Sequence, residues 1–165
     1  MSHKHSIELL NQAVSDELLA VHQYMYFHFH LADQGLRPLA SLFKRTAIAE
    51  MGHVEALSER ILFLKGDVEM VAGGAVGRIS DSAAMLQQAM EMEETSARDY
   101  NNAALECGKN ADAGSKQVFE QLIADEEGHF AEFEKQLENI KRYGPSYLAL
   151  QSFASASDAG EPASE

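Results

Sequence analysis

The sequence predicts an all-α protein: a four-helix bundle with one long crossover and a short fifth helix at the C-terminus. Four segments carry apolar residues at three- and four-residue intervals, which is the pattern of an amphipathic helix. A glycine stands where each segment stops, as is common after a helix end: Gly35, Gly66, Gly108 and Gly144. The first and third links are short and favour antiparallel neighbours, whereas the second is long enough to run the length of the bundle.

The predicted helices cover residues 6–34, 38–65, 82–107 and 113–143, and the short fifth helix follows Pro145. Their starts are marked by capping residues and by one proline: Ser6 for the first, Pro38 for the second, Asp81 or Ser82 for the third, and Asp112 or Ser115 for the fourth. We expect one domain over residues 1–153, followed by a tail at 154–165 with the composition of a disordered segment.

Composition narrows the class of protein. A chain of 165 residues can bury a core without disulfides, and the single Cys107 cannot form an internal one, which favours a reducing compartment. No apolar run is long enough for a membrane span, and the N-terminus lacks the apolar stretch of a secretory signal. We therefore expect a cytoplasmic protein. The net charge of −13 argues against a nucleic-acid partner, because phosphate binding needs clustered Lys and Arg.

A glutamate interrupts the apolar core line of every predicted long helix near its middle: Glu17, Glu50, Glu93 and Glu126. Four carboxylates buried at one level repel one another. Removing each of them from water also costs roughly several kcal/mol. Either their pKa values rise until the groups are neutral, or cations lie between them. Two divalent ions would balance the four charges.

Two of the seven histidines follow a core glutamate by three residues, His53 after Glu50 and His129 after Glu126. Residues at this spacing share one helix face, so a carboxylate and an imidazole can reach the same ion. The pattern also repeats, because 33 residues separate Glu17 from Glu50 and again Glu93 from Glu126. The chain therefore reads as two helix hairpins, each supplying one Glu and one Glu-x-x-His to a shared site, as in di-iron and di-manganese carboxylate bundles.

Two tyrosines follow the repeat. Tyr24 lies seven residues after Glu17, and Tyr100 lies seven residues after Glu93. Seven residues make two helical turns, so each phenol lies on the same face as its glutamate and can hydrogen-bond a ligand. Packing in the core is the alternative role for both tyrosines, and a metal-free polar network is the alternative for the Glu–His cluster.

The ligand types favour iron or manganese. Carboxylate oxygens with one imidazole per ion suit these metals better than structural zinc, which prefers sulfur and nitrogen ligands.

These motifs resemble those of the bacterioferritins, a ferritin-like family, from residue 6 to about 150. The stretches that carry the resemblance are DELLAVHQY around Glu17, AEMGHVEALSERILFLKG from Ala49, and ADEEGH at the second Glu-x-x-His. The resemblance implies iron storage with ferroxidase activity, that is, oxidation of Fe(II) by O2 or H2O2. It implies two Fe ions per subunit on six ligands, which are Glu17, Glu50, His53, Glu93, Glu126 and His129, with Glu50 and Glu126 bridging.

The same resemblance implies an assembly and a second cofactor. Members of the family form homo-oligomeric shells of 24 subunits built from two-fold dimers, with ferric mineral inside and a ferredoxin-type reductant for iron release. Haem b, or a related iron porphyrin, binds between two subunits, and Met51 stands at the haem-ligand position. Some members also carry a His and an Asp before the first Glu-x-x-His. These positions are Arg45 and Ala49 here, so the resemblance does not extend to an internal iron site.

Other classes can share the ligand set. A manganese catalase or a di-iron oxidase would use the same six ligands without storing mineral, although most such enzymes are longer than this chain. A further alternative is a binding protein without catalytic activity that carries haem. A rubrerythrin-type peroxidase is excluded, because its additional iron site needs several cysteines and this chain has one.

Overall fold

A computed structural model describes residues 3–153, which form five α-helices and no strand. The helices are α1 (Lys4–Asp33), α2 (Arg37–Phe63), α3 (Ser82–Lys109), α4 (Ala113–Tyr143) and α5 (Pro145–Phe153). The four long helices pack as a bundle in which α1 pairs with α2 and α3 pairs with α4. The predicted fold class is confirmed. The predicted tail, residues 154–165, lies outside the described residues.

Three of the long helices end in the same hydrogen-bonded motif, in which a residue with positive φ follows the helix. In α1 this residue is Gly35, with φ of 78°, as predicted. In α2 and α3 it is Lys65 and Ala111, with φ of 65° and 56°. Gly66 and Gly144 follow α2 and α4 as predicted, whereas the prediction for Gly108 is wrong, because it lies inside α3. Gly66 is also needed for packing, because a Cβ atom there would lie 2.8 Å from a methyl group of Ile7.

The predicted helix starts are correct for three of the four long helices. Pro38 lies in the first turn of α2, Asp81 accepts a hydrogen bond from the backbone N–H of Ala84, and Asp112 accepts one from Ser115. The prediction for Ser6 is wrong, because α1 already begins at Lys4. Ser6 is buried, and its hydroxyl lies 4.0 Å from the Cys107 thiol of α3.

The crossover between α2 and α3 runs along α1 and is attached to it by hydrogen bonds. Asn11 bonds the backbone of Asp67 and Glu69 near one end of the bundle. Gln23 exchanges two hydrogen bonds with Gly77 farther along, at 3.0 and 2.6 Å. These side chains satisfy loop backbone groups that a compact bundle would otherwise leave unpaired. The long link therefore spans the bundle, as its length predicts.

The apolar core is divided into two clusters. The first cluster includes the stacked and edge-on rings of Phe27, Phe43 and Phe133. The second packs aliphatic side chains around Phe119 at the other end of the bundle. In each long helix, the core glutamate lies between residues that belong to the first cluster and residues that belong to the second. The polar layer is thus held in place by an apolar cluster on either side.

None of the helices in residues 3–153 is long and apolar enough to cross a membrane.

A polar cluster links the two hairpins at one end of the bundle. The Arg60 guanidinium of α2 donates to the Asp112 carboxylate at 2.6 Å and to the Ser115 hydroxyl at 3.0 Å. A Cβ atom at Gly114 would lie 2.6 Å from Arg60, so the approach requires glycine. Burial opposes ionisation of Asp112, but its hydrogen bonds with Ser115, Ser6 and Arg60 outweigh this effect and hold its pKa well below the usual range.

We predict that Asp112→Ala destabilises the protein by about 1 to 2 kcal/mol, the usual cost of losing a helix cap. Asp112→Asn is the matched control, because it keeps the cap and removes only the charge that pairs with Arg60. A carboxyl with a lowered folded pKa stabilises above its unfolded pKa of about 4 and loses this contribution at lower pH. The free energy of unfolding, measured with urea, should therefore be higher for wild type than for Asp112→Asn, and this difference should shrink as the pH falls below about 4. A difference in free energy that does not change with pH would contradict this assignment.

Candidate metal centre

The structure brings the six predicted ligands together at the middle of the bundle. Their ligand atoms form two groups, within each of which all atoms lie within 4.8 Å of one another. One group consists of Glu17, Glu50, His53 and Glu126, and the other of Glu50, Glu93, Glu126 and His129. Each group therefore has its own histidine and its own outer glutamate, while Glu50 and Glu126 belong to both. This is the geometry of two adjacent ion sites with two shared carboxylates.

The two imidazoles enter the centre through their Nδ1 atoms. Nδ1 of His53 lies 3.2 Å from Glu17, 2.7 Å from Glu50 and 3.0 Å from Glu126. Nδ1 of His129 lies 3.1 Å from Glu50 and 3.6 Å from Glu93. The rings stack with their centroids 5.9 Å apart. Since α2 and α4 each present Glu and His one turn apart, the Glu-x-x-His spacing alone places both nitrogens beside the shared carboxylates.

The donor atoms at the centre are short of hydrogen-bond partners. Within residues 3–153, both carboxylate oxygens of Glu50, one each of Glu93 and Glu126, and Nδ1 of His129 are buried and make no well-directed hydrogen bond, although imidazole nitrogens lie 2.7 to 3.6 Å from these oxygens. All four glutamates are at most 2% exposed. Leaving such atoms unpaired costs free energy, because buried polar groups normally have partners. Oxygen and imidazole donors converging in this way fit divalent ions, which would provide the missing partners.

When no metal is bound, shared protons reduce the charge of the buried carboxylates. Burial raises the pKa of Glu17 to about 8 and the pKa of Glu126 to about 11. Burial also opposes ionisation of Glu50, but its contacts with His129 and His53 outweigh this and lower its pKa to about 2. Of the two responses to charge crowding that the sequence suggests, the rise in carboxyl pKa is present at Glu17 and Glu126, and the two imidazoles also lie between the carboxylates.

The histidine pKa values move upward for the same reason. Burial alone would lower the pKa of His129, but its contacts with Glu50 and Glu93 raise it to about 10. The carboxyl groups of Glu126, Glu17 and Glu50 likewise raise the pKa of His53 far above its usual range against the effect of burial. A metal ion must displace these protons, because imidazole binds a metal in its neutral form.

The two tyrosines hydrogen-bond glutamates across the bundle. The Tyr100 hydroxyl donates to Glu17 at 2.7 Å, and the Tyr24 hydroxyl donates to Glu93. Each phenol thus bonds the outer glutamate of the opposite hairpin rather than the one seven residues earlier on its own helix. Burial and the nearby carboxylates raise the pKa of both phenols, so they stay protonated and act as donors. These bonds fix the outer glutamates and tie the hairpins together.

A cleft of about 240 Å³ lies against the centre and is lined by Glu93, Glu94, Ala97, Glu126, Glu127 and Phe130. Glu94 and Glu127 are exposed, so these two neighbours of the predicted ligands point away from the centre, as their position on the helix predicts. Met51, the predicted haem ligand, lies on the outer side of α2 and is 44% exposed.

One residue in contact with the centre is missing from the sequence prediction. Asp125 of α4 places a carboxylate oxygen 3.2 Å from Nε2 of His53. It is exposed and stands next to Glu126, so periodicity alone gives no reason to choose it among many surface acids.

Comparison with known proteins places the chain in a family. A model of the ferritin-like domain matches residues 7–143. The bacterioferritin of Rhodobacter capsulatus is 36% identical over 94% of this chain and 96% of its own length. The bacterioferritins of Desulfovibrio desulfuricans and Brucella melitensis are 35% and 33% identical over 87% and 93% of this chain. The chain belongs to the bacterioferritin family.

Family membership confirms the resemblance predicted from the sequence. The ferritin-like match begins in α1 and ends in α4, so it contains all six predicted ligands and Met51. The bacterioferritin fold here thus surrounds a buried Glu–His group that can hold metal ions.

Proposed function

We propose that this bacterioferritin stores iron and oxidises Fe(II) to Fe(III) at a di-iron centre inside each subunit. The observation that carries the proposal is the pair of donor groups sharing Glu50 and Glu126. In this assignment Glu17 and His53 would hold one ion, Glu93 and His129 would hold the other, and both ions would share Glu50 and Glu126. Two bound Fe(II) ions would supply two electrons, which together with two protons reduce H2O2 to two water molecules or O2 to H2O2.

The residues around the ions have separate tasks. Glu50 and Glu126 hold the ions close enough to react as a pair with one oxidant molecule. Tyr24 and Tyr100 keep the outer glutamates in place through their hydrogen bonds. The apolar clusters on either side exclude bulk water and keep the ligands at one level.

We predict that Glu50→Ala and Glu126→Ala slow the initial oxidation of Fe(II) by at least about tenfold, since losing even a hydrogen-bond partner of a ligand has an effect of that size. The matched control is Glu127→Ala, which removes an exposed glutamate next to Glu126. Stopped-flow absorbance after mixing with about two Fe(II) per subunit measures the rate.

A second measurement separates a metal ligand from a structural residue. Metal bound to the folded protein raises its melting temperature, so we expect both variants to lose most of the increase that wild type shows when a divalent metal is added. A glutamate needed only for the fold would lower the melting temperature equally with and without metal. Oxidation at the wild-type rate in Glu50→Ala and Glu126→Ala would contradict the di-iron assignment.

Storage requires a shell, and we propose a homo-oligomer of 24 subunits built from two-fold dimers, as the family implies. Several large apolar side chains of α1, α2 and the crossover are exposed on the single subunit, among them Phe29, Ile48, Leu62, Phe63, Met70 and Val71. Three of them, Ile48, Leu62 and Phe63, lie on α2 together with the exposed Met51, and further copies of the chain could cover such side chains.

We predict a particle of about two dozen chains by light scattering, which keeps added iron in solution as ferric mineral in air. We propose that the stored Fe(III) leaves the shell after it is reduced to Fe(II), with a ferredoxin-type protein as the electron donor. A monomer or simple dimer that oxidises Fe(II) without retaining it would favour the alternative, a di-iron or di-manganese oxidase or catalase.

Haem b, or a related iron porphyrin, is the second proposed cofactor, with Met51 of two subunits as its ligands. The residues fit such a group. The Met51 thioether is partly exposed, Ile48 lies one turn away on α2, and no atom lies within 4 Å of the position a Cβ would take at Gly52. A flat apolar macrocycle can therefore approach the helix here. Across a two-fold axis each subunit offers the same thioether, and ligation by methionine raises the haem potential for electron transfer.

We predict that Met51→Leu abolishes haem binding and leaves assembly intact, because leucine keeps the volume and apolar character but cannot ligate iron. Wild-type protein should show a haem absorption band at up to about one haem per two subunits, as shared ligation across a two-fold axis requires. Met70→Leu is the matched control, since it removes another exposed methionine of the same chain. An unchanged haem spectrum in Met51→Leu would show that the haem is held elsewhere.

A further inference from the structure

The six proposed ligands match in pairs between the two hairpins, but residues beside them differ. Each ligand of the second hairpin lies 76 positions after its counterpart: Glu17 and Glu93, Glu50 and Glu126, His53 and His129. The residue just before each Glu-x-x-His breaks the match, because Asp125 corresponds to Ala49. Because of this difference, the two histidines have different neighbours.

Asp125 contacts the histidine of the other hairpin. Its carboxylate lies 3.2 Å from Nε2 of His53, while Nδ1 of the same ring faces Glu17, Glu50 and Glu126. Ala49 has no polar side-chain atom to offer His129 in return. Among residues 3–153, the polar contacts that the structure gives His129 are those of Nδ1 with Glu50 and Glu93, and none involves Nε2. One imidazole is thus held at both nitrogens and the other at only one.

This difference matters for metal binding. An imidazole that binds a metal through Nδ1 must carry its proton on Nε2, and the partner of that N–H fixes the tautomer and the ring orientation. A carboxylate partner also makes the ligating nitrogen more basic. Loss of such a partner usually weakens metal binding by about 10- to 100-fold. His53 has this partner and His129 lacks it.

We infer that Asp125 is a positioning residue for His53 and that it makes the two iron subsites unequal. The subsite of Glu17 and His53 binds its ion more tightly and fills first. The subsite of Glu93 and His129, whose imidazole has contacts at Nδ1 alone, binds more weakly and fills second. The inference rests on the proposed di-iron centre and adds an order of loading to it.

Titration of assembled, metal-free protein with Co(II) tests this inference without relying on activity, because bound Co(II) absorbs visible light. Wild type should bind two Co(II) per subunit with unequal affinities. Asp125→Ala should weaken the tighter one by about 10- to 100-fold, and Asp125→Asn by less, since its amide oxygen still accepts the N–H. The matched control is Glu127→Gln, which removes a charge two residues away and should leave both affinities unchanged.

Single-subsite variants identify which ion responds. His129→Ala leaves the His53 subsite, so adding Asp125→Ala there should reproduce the full loss of affinity. His53→Ala leaves the His129 subsite, where Asp125→Ala should have no effect. In the opposite direction, Ala49→Asp supplies the missing partner and should tighten the weaker site, whereas Ala49→Leu should not. Arg45, one turn before residue 49 on α2, disfavours an additional cation at the new carboxylate.

The outcomes separate this inference from the proposed function. Equal effects of Asp125→Ala in the two single-histidine backgrounds, or equal effects of Asp125→Ala and Glu127→Gln, would overturn the positioning role while leaving the di-iron centre standing. Two wild-type affinities that are equal within error would overturn the order of loading. A wild-type protein that binds no Co(II) at the glutamates would overturn the proposed function and this inference together.

Discussion

The burial of four carboxylates at one level of a helical bundle is the constraint on which the rest of the structure depends. At neutral pH four buried charges of one sign would oppose folding. The bundle offsets this cost with two imidazoles between the carboxylates, two phenol hydrogen bonds from Tyr24 and Tyr100, and an apolar cluster on either side. Protons shared among these groups make the folded chain possible without metal, and they occupy the same atoms that the proposed iron ions need.

Duplication explains how one short chain builds this centre. Two hairpins with ligands at matching positions place two Glu–His sets around an approximate two-fold axis, and the crossover along α1 allows the hairpins to pack side by side. The hydrogen bonds of Tyr24 and Tyr100 then join each hairpin to the outer glutamate of the other. The proposed ligand positions are alike in the two halves, but the residues next to them differ: Met51 corresponds to Glu127, and Ala49 corresponds to Asp125.

The sequence predicts the features that follow from periodicity and from charge. Helix pairing, the long crossover and the meeting of the six predicted ligands follow from helix lengths, loop lengths and spacing along a regular helix, so the sequence alone predicts them. Features that depend on contacts between distant segments cannot. Gly66 is conspicuous as a helix stop but is needed for its closeness to Ile7, and the positive φ falls on Lys65. Likewise, the hydrogen bond of Tyr24 to Glu93 depends on how two helices face each other.

The two proposed cofactors constrain the rotation of the same helix. Glu50 and Met51 are consecutive, so a rotation of α2 that brings the carboxylate to the bundle centre turns the thioether toward the outer face. The contacts of Phe43 with Phe27 and Phe133 resist that rotation on one side of the centre, and Arg60 with Asp112 resists it on the other. A change in packing far from both sites, if it turns α2 by even part of a step, must therefore disturb the proposed iron centre and the proposed haem site together.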